Sequence, residues 1–343
     1  MNNLIFFVIL ITINTILLYN YKFISKLINI YDYPNFRKIH NSPTPLIGGV
    51  IIFINIIFFF IYFEIFSSSV LHVLIEIHSF KHLYLTLTIY SSLFFLGLYD
   101  DKYPIAPNKK LAFQLIFIGF FIYFDQSLAI KNLDIFFIEN VSLNRISLVF
   151  TLICVIFFLN IMNMFDGINL QSSIIYFFLL LFLIIHSNYE IFLSVVLISL
   201  IFFSFLNYKG RIFLGDSGSY LLALSIAHIF LKDYNNYLGT INLENFLCFL
   251  IFPAFDSLRL FINRIIKGKN IFSPDKKHLH HLLLFIIGYR KTILLIFIIY
   301  LGIFFLTNLN IFEPYINFLI ISILYFLIFI YINYKFQKKN KDI

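Results

Sequence analysis

The chain has 343 residues, of which 61% are hydrophobic and only 12% charged, with a mean hydropathy of +0.92. That composition excludes an ordinary soluble domain and a disordered chain, and predicts a polytopic membrane protein. The formal net charge of +8 fits attraction to anionic membrane lipid and gives no reason to invoke nucleic acid.

Apolar stretches able to cross a bilayer run at 4–20, 46–66, 83–99, 111–124, 146–165, 170–186, 191–206, 219–231, 244–263, 292–309 and 315–334. They predict an all-α bundle of about eleven transmembrane helices. The first stretch lacks the basic leader and small-residue cleavage site of a secretory signal, so it reads as a retained span. The segments after the odd-numbered spans hold 21 of the 25 basic residues, whereas Lys81, Lys131, Arg145 and Lys232 fall on the other side. The positive-inside rule then puts the N-terminus outside and the C-terminus in the cytoplasm. Cys154 and Cys248 lie in apolar runs without metal-ligand spacing, and no disulfide framework follows.

On this map the unusual polar clusters all fall on the cytoplasmic face. In chain order they are DYPNFRKIHNSPTPLIGG (32–49), GLYDDKYPIAPNKKLAFQ (97–114), NIMNMFDGIN (160–169), NYKGRIFLGDSGS (207–219) and SPDKKHLHHLLL (273–284). The expected organisation is one transmembrane domain, 1–343, with active-site loops at 21–45, 100–110, 165–169, 207–218 and 264–291. Adjacent acids at a helix end often only stay hydrated, and Gly-Asp-Ser-Gly-Ser alone is a plausible helix start. Converging on one face among lysines, Asp100, Asp101, Asp166 and Asp216 instead suit a hard divalent cation bridging phosphate oxygens, which points to Mg2+, with Mn2+ as a substitute. A transporter would place its ionisable groups near the bilayer midplane. Here only Glu64 and the Asp256 and Arg259 pair lie well inside apolar runs, the pair three residues apart on one helix face. A non-catalytic scaffold is the other rival, and the intact acid motifs argue against it.

Taken together and in this order, the clusters resemble those of the polyprenyl-phosphate N-acetylhexosamine-1-phosphate transferases, over roughly residues 32 to 284. The resemblance implies ten or eleven spans, magnesium dependence and a cytoplasmic site in the inner membrane. It also implies transfer of an N-acetylhexosamine 1-phosphate from a UDP-sugar to polyprenyl phosphate with release of UMP. The eleven spans and outside N-terminus fit the GlcNAc branch better than the alternative, the phospho-MurNAc-pentapeptide translocase. Asp100 matches the first acid of the paired-aspartate motif, placed to deprotonate or orient the lipid phosphate, and Asp101 its neighbour, placed to help hold the metal. Asp216 matches the principal magnesium ligand. Asn163 and Asp166 match the Asn-x-x-Asp-Gly element of the nucleotide pocket. Lys110 and Gln114 follow the paired acids as in the family, and Lys38 and Thr44 fall in the first-loop pattern. His278, His280 and His281 match His-x-His-His. The chain departs from the family at Leu170, where many relatives carry glycine; leucine tolerates a positive φ poorly.

For the histidine stretch three readings stand beside one another: a grip on phosphate, a metal site and a solvated loop. On a helix His278 and His281 share a face and His280 does not, which suits three zinc ligands poorly. The neighbouring Lys276, Lys277, Arg264 and Lys267 favour hydrogen bonding to a diphosphate. Pro274 and Asp275 read as a helix entry that aims free amides at an anion.

Overall fold

The structure is a computed structural model that describes residues 2–34, 42–66, 80–236, 241–268, 277–309 and 311–341. Its helices are α1 (Asn2–Tyr19), α2 (Tyr21–Ile28), α3 (Gly48–Phe66), α4 (Phe80–Lys102), α5 (Pro107–Phe124), α6 (Ser147–Met164), α7 (Gln171–His186), α8 (Glu190–Tyr208), α9 (Gly215–Asn236), α10 (Leu243–Ile266), α11 (Leu279–Ile287), α12 (Tyr289–Asn308) and α13 (Pro314–Lys341). A helix stands at every apolar stretch read from the sequence, with α2 and α11 as short additions. Seven of these helices are long and apolar enough on their own to cross a membrane, and α1 and α2 form a pair bent by 69°. The protein is thus a helical, multi-pass membrane protein.

Two small antiparallel sheets stand outside the all-helical expectation. In the first, β1 (Tyr31–Asp32) pairs with β2 (Thr44–Pro45), bringing Asp32 opposite Thr44. In the second, β3 (Asn132–Ile135) pairs with β4 (Ile138–Ser142). That hairpin is tied to the bundle by bonds from the Asp134 and Phe136 amides to Tyr234 Oη and Glu244 Oε1. Strands this short lack the alternation that a sequence reading depends on.

The axis of the bundle is α9. It packs against α3, α4 and α6, and Ser217 to Tyr234 are buried without interruption. Small residues permit this, because helices in a membrane gain from close backbone approach. A Cβ at Gly97 of α4 would lie 2.3 Å from the Ser217 amide nitrogen, and one at Gly49 of α3 would lie 2.5 Å from the Gly218 nitrogen. The same contacts deliver the paired acids at the end of α4 to the first turn of α9. Further apart in the bundle, Asn14 of α1 and Asn55 of α3 exchange bonds of 2.6 and 3.0 Å. At the opposite end of α9, buried Lys232 meets Asp125 at 3.4 Å.

Candidate active site

The turn before α9 decides where Asp216 points. Gly215 takes φ +73, a left-handed conformation that suits glycine, and a Cβ there would lie 2.5 Å from Asp101 Oδ2. Asp101 in turn accepts from the Asp216 amide at 2.9 Å, from the Ser217 amide at 3.4 Å and from Ser217 Oγ at 3.1 Å. The carboxylate therefore caps α9, satisfying amides that a helix start leaves open and meeting the positive end of its dipole.

One residue into that helix, Asp216 joins three other segments. Lys110 Nζ, one turn inside α5, lies 2.6 Å from Asp216 Oδ2 and 2.6 Å from Asp100 Oδ2. Asn163 Nδ2 donates to Asp216 Oδ1 at 2.9 Å, and the Ile105 amide donates to Asp100 Oδ1 at 2.6 Å. Asp166 sits in the turn after α6 and accepts from Ser172 Oγ at 2.6 Å. Burial pushes its carboxyl up to about 6, against the pull of that bond.

Asp100, Asp101, Asn163, Asp166 and Asp216 face a cavity of about 950 Å3 that also takes in Asp32, Asn207, His281 and Tyr289, whereas Lys110 stands behind the acids and does not line it. Five lining residues, Asp32, Asp100, Asp101, Asp166 and Asp216, are aspartates. All five polar clusters thus reach one cavity. Asp32 and Asn207 open two of the sequence motifs but are not among the expected site residues, and Tyr289 stands outside all of them. Position within a motif was the available signal for the first two; for Tyr289 there was none.

Other expected residues are used differently. Thr44 is buried in β2, donates to Ser42 O at 3.2 Å and does not line the cavity. Gln114 is buried between helices and accepts from Asn160 Nδ2 at 2.8 Å. Lys38, Pro274, Asp275 and Lys276 lie outside the described residues. Leu170 does adopt the positive φ, +67, that the missing glycine would have taken, and its amide donates to Asn207 Oδ1 at 2.7 Å.

The three histidines divide. His278 is the residue before α11, not a partner of His281 on one helix face, and it lies 2.8 Å from Asp256 Oδ2. His280 is buried beside Gly167, with Gln171 Nε2 3.2 Å from its Nδ1; burial holds its imidazole well below its usual pKa. Only His281 lines the cavity. Asp256, His278 and His280 offer ligand atoms within 4.8 Å of one another. The Asp256 oxygens there already accept hydrogen bonds from the Leu279 amide and Arg259.

Residues 82–233 match the profile of glycosyl transferase family 4. The chain is 29% identical over 267 residues to the undecaprenyl-phosphate alpha-N-acetylglucosaminyl 1-phosphate transferase of Thermotoga maritima, covering 77% of this chain and 76% of that protein. It is 27% identical over 269 residues to the Yersinia pestis protein of the same name, covering 75% and 70%. For the Escherichia coli K12 protein of that name the figures are 25% over 282 residues, covering 79% and 73%. The matched profile runs from α4 to α9 and so contains the paired aspartates, Lys110, Asn163, Asp166 and Asp216; over these residues the chain is similar to glycosyl transferase family 4.

Proposed function

We propose that the protein transfers an N-acetylhexosamine 1-phosphate from a UDP-sugar to polyprenyl (undecaprenyl) phosphate, releasing UMP and starting a cell-envelope glycan. The observation that carries this reading is the meeting of Asp100, Asn163 and Asp216 at the cavity, with Lys110 bridging Asp100 and Asp216 behind them. The relatives' names favour a UDP-GlcNAc donor over UDP-MurNAc-pentapeptide. In this reading the protein lies in the inner membrane with eleven spans, its N-terminus outside and the cavity facing the cytoplasmic supply of nucleotide sugar.

The donor set is hard oxygen and strongly anionic, which fits Mg2+ or Mn2+ and suits a soft metal poorly. Asp216 would hold the ion, with Asp101 beside it. When bound, it supplies charge neutralisation to the phosphate oxygens. The chain's own residues do the rest. Asn163 and Lys110 fix the Asp216 carboxylate from two sides, so its oxygens are oriented before substrate arrives. Asp100 is held by the Ile105 amide and Lys110 at the cavity wall, placed to orient the acceptor phosphate. Lys110, shared between two acids, keeps them from repelling each other and offers its ammonium to an incoming phosphate. His281 contributes an imidazole donor from α11. The in-line attack of lipid phosphate on the sugar-linked phosphate then needs positioning and charge stabilisation more than covalent chemistry from the protein.

The test is UMP release by purified protein with undecaprenyl phosphate, magnesium and a panel of UDP-N-acetylhexosamines including UDP-GlcNAc. Release with at least one donor, dependent on both the lipid and the divalent ion, is the expected result. Folded protein that releases UMP with none of them would end this reading.

A further inference from the structure

We propose that Asp256 is a positioning residue, a buried anchor that docks the histidine stretch onto the bundle so that His281 alone faces substrate. The proposal rests on the transferase reading for its kinetic part and on geometry for the rest. Asp256 lies in α10, fully buried, and faces the start of α11. Its carboxylate accepts from the Leu279 amide, at 3.1 Å to Oδ1 and 3.2 Å to Oδ2, so it closes the N-terminus of that helix from outside. It also receives His278 Nδ1 at 2.8 Å. Because a carboxylate only accepts, the His278 proton belongs on Nδ1, which fixes both tautomer and ring orientation.

Arg259 completes the clasp. Its Nη2 lies 2.7 Å from Asp256 Oδ1 and 2.7 Å from the Lys277 carbonyl oxygen, and its guanidinium stands over the Phe329 ring at 4.4 Å. One planar donor thereby ties α10, the approach to α11 and the last helix α13 together, bonding two oxygens through Nη2 while its face stacks on an aromatic ring, a combination for which arginine is suited and lysine is not.

Beyond this anchor the stretch has a second foothold. His280 stacks edge-on against Phe165 and reaches Gln171, while Gly167 leaves just enough room for its ring. With His278 and His280 both turned into the protein, the helical register leaves His281 at the cavity. Two of the three imidazoles are thus spent on placing the third. A buried acid that loses its role would let α11 shift, and a displacement of about 1 Å at a reacting group costs on the order of 100-fold in rate.

The experiment pairs histidine acylation by diethylpyrocarbonate, read residue by residue by mass spectrometry, with steady-state kinetics on the full chain. In the wild type, His281 should be modified while His278 and His280 are protected. Asp256→Ala should open His278 and His280 to the reagent and lower kcat roughly 100-fold, with KM for the UDP-sugar changed less than about threefold. Asp256→Asn keeps the shape and one carbonyl acceptor, so it should retain most of the protection and lose no more than about tenfold in kcat. This milder variant keeps the proposal testable if the alanine protein does not fold. Protection and kcat both unchanged in Asp256→Ala would overturn the anchor. A transition metal held stoichiometrically by the wild type and lost in Asp256→Asn would also overturn it, by making Asp256, His278 and His280 a metal centre. If the wild type turns over no UDP-sugar but Asp256→Ala still exposes the two histidines, the transferase reading fails and the anchor stands.

Discussion

Gly167→Ala should lower both stability and turnover through a single contact. A Cβ at that position would lie 2.1 Å from His280 Nε2 and 2.7 Å from Cε1, against 3.4 Å or more for an ordinary contact, an overlap of about 1.3 Å. The ring cannot simply swing away, since His280 is only 2% exposed and Gln171 and Phe165 hold it. Overpacking of this kind costs about 1–3 kcal/mol. The cheapest relief is for α11 to lift by roughly 1 Å, which would carry His281 with it and cost about 100-fold in kcat. Thermal unfolding in detergent and UMP release should therefore both be measured in a double-mutant cycle with His280→Ala. Removing the ring opens the space, so in that background Gly167→Ala should cost less than about 0.5 kcal/mol and leave kcat within a factor of three. An equal cost in both backgrounds would show that the glycine serves something other than room for His280, and the contact argument would fail.

Asp216→Asn should abolish measurable UMP release while raising the magnesium concentration needed for any residual activity; wild-type turnover at limiting magnesium would remove the carboxylate from the ion's site. His281→Ala should lower kcat about 100- to 1000-fold with little change in KM, whereas His280→Ala should show first as a lower unfolding temperature; the reverse pattern would exchange their roles. For topology, Ser217 is a poor probe because it is fully buried, but Lys109 is exposed. Lys109→Cys in a background lacking Cys154 and Cys248 should react with an impermeant thiol reagent only from the cytoplasmic side, and labelling of intact cells would invert the topology. Leu170→Gly should keep activity and gain up to about 1 kcal/mol by relieving a left-handed leucine, while Leu170→Val should lose about 1–3 kcal/mol; equal unfolding temperatures for the two would refute strain at that turn.

The helices were legible because a membrane span is read from length and apolarity, which one sequence contains in full. Their functional ends were legible because carboxylates among lysines have no business in an apolar chain unless something holds them there. What could not be read was the direction of each side chain. Asp100 and Asp101 are neighbours in sequence, yet one meets Lys110 and the other caps α9, a division set by the helical turn between them and by the approach of Gly97 to Ser217. The histidines fail in the same way. Spacing paired His278 with His281 on the assumption of a continuous helix, but α11 begins at Leu279 and leaves His278 outside it. Thr44 falls in a motif that points to binding, and the strand pairing that buries it puts Asp32 at the cavity instead.

Asp101 and Asp256 do related work at the N-termini of two different helices. Each comes from a different helix, each lies against the N-terminal amides of another, and in each case a residue expected to meet substrate sits in the capped first turn: Asp216 on α9 and His281 on α11. A free helix N-terminus attracts phosphate, and the approach to α11 reads from sequence as such a site. Here the protein's own carboxylates take that place, so at these two ends the amides already have an anion and the dipole's attraction is spent on fixing geometry. On the proposed function, a phosphate in this cavity would then be received by side chains and by a cation among the aspartates. That arrangement gains orientation, since a first-turn residue on a capped helix has little freedom to fray. It also makes the site's charge depend on Lys110, whose two contacts at 2.6 Å bind it to Asp100 and Asp216 together. Lys110 and Asp256 are thus the two points in the machinery where one group serves more than one partner.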